Sequence, residues 1–200
     1  LALATLERRY LERYDNSAAQ IPQSFSLRMI DPAALIELRE TGSCELRIPE
    51  FAFDLLYPGQ YRRQIRAVQL SIPSVRGPYT NVSATLTLLG SRIRSEPVTG
   101  AAALVDVPVS RTERIATSSA QSDSGRFELS FGGQNLNPFE GAGAISDWRI
   151  ELPTLLRAFD YATISDAVLT ISYTARYDGA LRATLEDPAS ANGQLAALTS

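Results

Sequence analysis

Two hundred residues with 44% hydrophobic side chains fit one globular domain, or one domain with a small appendage, able to bury a core without disulfides. The 19 basic and 22 acidic residues leave a formal charge of −3 and form no long like-charge blocks, which argues against nucleic acid or an anionic membrane as the main partner. With no histidine and a single cysteine, Cys44, an internal disulfide, a Ser/His/Asp triad and any His-ligated metal site are excluded, and neither a cofactor nor a metal is expected.

In chain order, Leu3, Leu6, Tyr10 and Tyr14 (or Leu11) recur at helical spacing among Glu7, Arg8, Arg9, Glu12 and Arg13. This reads as the end of a longer helix over residues 1–16 leading into the domain, or as an N-terminal helix packed on a sheet. The same charges rule out an apolar signal core, and no apolar run approaches the ~18–20 residues of a membrane span. Residues 25–30 are expected as a short strand. Asp31 as N-cap and Pro32 at the first helical position open a helix to about Glu40, which Thr41, Gly42 and Ser43 stop.

Cys44, Leu46 and Ile48, then Phe51, Phe53 and Leu55, alternate with a phase shift at Pro49 and Glu50, predicting strand with a bulge or break there. Cys44 lies in phase with the apolar series and reads as a small core residue rather than a nucleophile. Tyr57, Pro58, Gly59 and Gln60 make a turn, after which Val68, Leu70 and Ile72 mark a strand. Arg62, Arg63 and Arg66 are expected on a solvated face paired with acids, with anion binding as the specific alternative. Residues 75–79 make another turn, and Val82, Ala84, Leu86 and Leu88 a strand ending at Gly90.

Two short strands are expected at 104–109 and 114–118, a turn at 123–125, and strands through Phe127, Leu129 and Phe131, through Trp148, Ile150 and Leu152, and through Ala167, Leu169, Ile171 and Tyr173. The tail over 181–200 is expected to be frayed or helical. About eight strand candidates with little room for crossover helices predict an all-β antiparallel sandwich, spanning 17–180, with short helical additions.

Chemistry is thinly represented. Glu140 and Asp147 are the best acid pair for glycoside cleavage, but acids in glycine-rich loops usually cap backbone N–H groups. Gly141-Ala142-Gly143 lacks the third glycine and the strand-to-helix context of a dinucleotide site. Asn81-Val82-Ser83 matches a glycosylation sequon. Trp148 as a sugar-stacking platform would make the chain a carbohydrate-binding sandwich for host attachment; its phase with Ile150 and Leu152 favours core.

The runs DSGRFELSF, LNPFEGAGAISDWRIELP and FDYATISDAVLTISYTARYDG resemble the C-terminal region of the A component of Tc (toxin complex) insecticidal toxins. LALATLERRYLERY is similar to the end of the long helical segment before that region, and IRAVQLSIPSVRGPYTNVSATLTL to its first strands. The resemblance implies a non-enzymatic domain that docks the B component, whose shell carries the toxic enzyme, onto a translocation channel. It also implies a secreted or released bacterial toxin, homo-pentameric in full length, that touches membrane only through parts absent from this chain. Within it, Asn137, Pro138, Phe139, Glu140, Gly141 and Gly143 are expected as part of a partner-binding rim. Glycine there permits backbone approach and Phe139 offers an anchor; the competing expectation is that Phe139 folds back on its core and Glu140 caps the loop.

Overall fold

The computed structural model describes residues 20–74, 82–108, 114–119, 128–130, 138–154, 157 and 159–187. The helical reading of 1–16, the turns at 75–79 and 123–125, Asn81 of the sequon and the tail beyond Asp187 lie outside the described residues.

Nine strands among the described residues form two antiparallel sheets. The first has the order β1 (Ile21–Ser26), β9 (Val168–Tyr177), β3 (Gln60–Ser71), β7 (Glu128–Ser130). The second has the order β2 (Ser43–Ile48), β8 (Ile145–Glu151), β4 (Val82–Arg94). The far edge of β4 is shared: β6 (Arg114–Ser119) pairs with its first half and β5 (Leu104–Val107) with its second. Alternation explains the packing. Val68 and Leu70 of β3 and Leu169, Ile171 and Tyr173 of β9 meet Leu46 and Ile48 of β2, Leu86 and Leu88 of β4 and Trp148 and Ile150 of β8 in one buried cluster. Each such side chain contributes roughly 1.5–3 kcal/mol by leaving water. The all-β sandwich expected from the alternation is the fold observed.

Helices join these strands where local chemistry demands them. Helix α2 (Pro32–Thr41) starts with Asp31 accepting from Ala33 N and Ala34 N, and ends at Gly42 in the left-handed region (φ 83°), as its sequence signals predict. Helix α4 (Gly179–Glu186) follows β9 and is capped by Asp178.

Three expectations are corrected. Residues 25–30 do not continue as strand: β1 ends at Ser26 and one turn of helix, α1 (Leu27–Ile30), follows. Ser26 accepts from Met29 N while Asp166 accepts from Arg28 N, so side chains supply the partners that a strand would have used. The apolar run after Pro49 is helix α3 (Glu50–Asp54), not strand. Phe53 is buried, and Phe51 and Leu55, four apart on one helical face, are exposed. Finally, β4 does not stop at Gly90 but runs to Arg94. A bulge leaves Leu89 unpaired and exposed, and the inward positions beyond it, Ser91 and Arg94, are polar and so carry no apolar signal.

Candidate functional site

The segment from Pro138 to Ala144 crosses from the edge of the first sheet into β8 of the second. It pairs with β3 as a short extra strand: Ile65 N donates to Ala142 O at 2.8 Å, Gly141 N to Ile65 O at 2.9 Å and Ala144 N to Arg63 O at 3.1 Å. Gly141 turns the chain at φ 88°. Gly143 serves a different need, close approach, because a Cβ there would stand 2.1 Å from the carbonyl oxygen of Arg92. Its N–H donates to Ser91 Oγ at 3.2 Å.

The expected rim residues therefore divide. Phe139 is fully buried, its ring edge-on to Trp148 at 4.9 Å, so it folds back on the core. Glu140 is exposed and pairs with Arg66 at 2.6 Å rather than capping the loop. Pro138 is half-buried, Gly141 is exposed, Gly143 is buried against β4, and Asn137 lies outside the described residues.

The alternative chemistries find little support at these positions. Asp147 is tied to Arg47 at 2.8 Å across β2 and β8, and Glu140 to Arg66, so each acid of the supposed pair has its own arginine. Trp148 has no exposed face for a sugar ring; its Nε1 donates to Ser146 Oγ at 2.7 Å inside the core. Arg66 is on the solvated face as expected, but Arg63 is not.

One irregularity of β3 lies at Arg62, a non-glycine residue at φ 50°, and a second, between Ile65 and Ala67, shifts the strand out of the phase of Val68 and Leu70, so that Arg63 enters the core beside Ile65. There it meets Asp54 of α3 at 2.5 Å, and Asp54 also binds Arg94 of β4 at 2.8 Å. Arg94 reaches Glu50 at 2.6 Å, closing a chain of two arginines and two acids. The Arg63 guanidinium lies 5.4 Å from the Phe53 ring centre, and Tyr173 Oη donates to Gln60 Oε1 nearby at 3.0 Å. This cluster bolts α3 to both sheets. Sequence reasoning missed it; the one available signal was Arg63 in phase with Ile65.

Two titrations follow from burial. Removal from water raises the Glu50 pKa above its ordinary 4.5, with Arg94 opposing. The folded state then binds its proton more readily than the unfolded chain, so Glu50's contribution to stability is full below about 4.5 and declines as pH rises through the folded value. Urea titrations are expected to show wild type gaining on Glu50→Gln as pH falls from 7 toward 4.5; parallel profiles would refute it. Cys44, pushed up to about 12 by desolvation and then by Glu37, stays a thiol in the folded state. Iodoacetamide at pH 8 is expected to modify it only on unfolding, and rapid labelling of native protein would contradict its burial.

Two antiparallel sheets on one core, with internal ion pairs that serve packing, define the chain as a β-sandwich module. It belongs to the Tc toxin complex TcA C-terminal TcB-binding domain family, whose model matches residues 1–175. The chain is 30% identical over 191 residues to toxin subunit YenA2 of Yersinia entomophaga, covering 88% of this chain and 14% of that protein, so it spans about one seventh of the relative. A cryo-EM structure of Yersinia pseudotuberculosis TcaA-TcaB shares the fold at a TM-score of 0.51 and 21% identity, over 86% of this chain and 11% of the other.

Proposed function

We propose that this chain is a non-enzymatic docking domain of a Tc-type toxin A component, binding the B component so that the toxin shell sits on the translocation channel. The observation that carries the reading is the match to the TcB-binding family over residues 1–175. The fold shared with TcaA-TcaB is consistent with it. In this reading the full-length protein is a released bacterial toxin that presents the domain in five copies, and recognition uses neither covalent chemistry nor a cofactor. Excess isolated chain is expected to compete with a full-length A component for its B component; assembly undiminished at any excess would remove the reading.

We place part of the contact at the corner, through exposed Glu140 and Gly141 with Pro138 and the preceding Asn137, while Phe139 and Gly143 hold the corner in shape from within. Phe139→Ala is therefore a test of folding rather than of contact. Glu140→Arg is the better probe, since a rim charge acts mainly on the association rate. It is expected to weaken B-component binding about five- to tenfold with an unchanged melting curve. Equal affinity would take this loop out of the interface.

A further inference from the structure

An edge strand offers unpaired backbone groups to a further strand unless something blocks it. β1 is blocked: Pro22 brings no N–H to its outer side, and Ser26 is held by Asp166 at 2.6 Å. β2 has no such device along its middle. Leu152 N donates to Gly42 O at 2.7 Å, so by alternation Cys44, Leu46 and Ile48 bond inward to β8, while Ser43, Glu45 and Arg47 turn their backbone outward. Thr41 Oγ1 closes Ser43, accepting from its N–H at 3.1 Å and standing 2.9 Å from its carbonyl oxygen, and Pro49 beyond Ile48 has no N–H. Between these stops the backbone groups of Glu45 and Arg47 have no partner among the described residues.

The side chains of Glu45 and Arg47 lie on the solvated face, 63% and 76% exposed, paired with Arg149 at 2.7 Å and Asp147 at 2.8 Å across β8. The open edge therefore carries one acid and one base two positions apart, and a second copy of the same edge is its complement. In an antiparallel pair of β2 strands, outward-turned residues must stand opposite each other. A two-fold axis through Glu45 sets glutamate against glutamate, and one through Arg47 sets arginine against arginine. An axis through Leu46 sets each Glu45 against Arg47 of the other copy, and the two backbones exchange their hydrogen bonds. The row across such a junction runs Asp147, Arg47, then Glu45 and Arg149 of the second copy, alternating in sign throughout.

We propose that β2 is a pairing edge for a second copy of this chain, the two joined about an axis at Leu46 that continues the sheet of β2, β8 and β4 across the pair. Opposite charges facing directly across strands stabilise the junction and like charges destabilise it by similar amounts, so charge sets both register and partner. The contact is short, and the pair forms only as concentration rises. A two-fold contact does not repeat around a ring, so the pair belongs to the free domain and stands apart from the docking function proposed above.

Sedimentation equilibrium of the full chain tests the pair without any B component, so its outcome is separate from that of the docking reading. Wild type is expected to pass from monomer to dimer, and no further, as its concentration rises into the millimolar range. Glu45→Arg and Arg47→Glu are each expected to weaken self-association at least about tenfold, because each sets like charges opposite one another. Each also gives up one exposed pair with β8, which is worth little to folding. Mixed in equal amounts, the two variants are expected to form a heterodimer about as tight as the wild-type dimer, since every facing pair is again of opposite sign. In wild type alone, the amides of Glu45 and Arg47 are expected to exchange at least about fivefold slower in the dimeric than in the monomeric range, with Ser24 on the β1 edge unchanged. A wild type monomeric throughout, variants that associate as it does, a mixture that stays monomeric beside a dimeric wild type, or protection at Ser24 in place of Glu45 and Arg47 would each overturn the proposal.

Discussion

Asp54→Ala is expected to destabilise the domain by about 3–5 kcal/mol, the range for removing one partner from a buried ion pair. Asp54 is 4% exposed, and it faces Arg63 at 2% and Arg94 at 3%. Its loss leaves two guanidiniums in the core with Glu50 as their acid; Arg63 keeps the Tyr57 carbonyl at 3.4 Å, too long to compensate for a lost carboxylate. For a chain of this size the melting point is expected to fall by roughly 6–20 °C. Asp54→Leu combined with Arg63→Met removes a matched pair, leaves Arg94 with Glu50, and is expected to recover most of the loss. Urea denaturation of both variants decides. A double variant no better than Asp54→Ala would mean that shape, not charge balance, sets the cost.

Gly143→Ala is expected to cost a similar amount, about 3–5 kcal/mol, through collision and the hydrogen bonds that break with it. The new Cβ would lie 2.1 Å from Arg92 O and 2.5 Å from its carbonyl carbon, and backbone cannot swing aside as a side chain does. Relief requires the corner to leave β4, which pulls on the bonds from Gly143 N to Ser91 Oγ and between the corner and β3. Gly141→Ala is the control. Its position has φ 88° but no atom within 4 Å of the added Cβ, so only the left-handed backbone penalty of about 1–2 kcal/mol applies. If the two alanines cost the same in equilibrium unfolding, the close approach to Arg92 is not what glycine secures at 143.

What the residues reveal in advance is what local chemistry controls. Asp31, Pro32 and Gly42 bound α2 by capping alone, and the alternations of β2, β8 and β9 declare their buried faces because both sheets share one core. The run Phe51, Phe53, Leu55 misleads because spacings of two and of four coexist in it, and Pro49 is compatible with a strand break as well as with a helix start. Bulges hide the rest. One between Ile65 and Ala67 puts Arg63 inward with Ile65, where the phase of Val68, Leu70 and Ile72 places it on the solvated face. Beyond the one at Leu89 the buried positions Ser91 and Arg94 are polar, so the strand reads as ended. At the corner, the glycines are legible as special but their tasks are not. Gly141 serves a turn, whereas Gly143 answers to Arg92, far earlier in the chain and adjacent only in the fold. Phe139 resembles an anchor for a partner because nothing in its neighbours reveals that Trp148 stands behind it.

The docking role is tested most directly by titrating a purified B component of a Tc toxin with the isolated chain in a calorimeter, with the cooperative melt of the chain recorded beforehand. The account predicts saturable heat that is absent when the chain is replaced by an unrelated β-sandwich, and that is reduced by Glu140→Arg. A folded chain that releases no heat and shows no retention on an immobilised B component would contradict it.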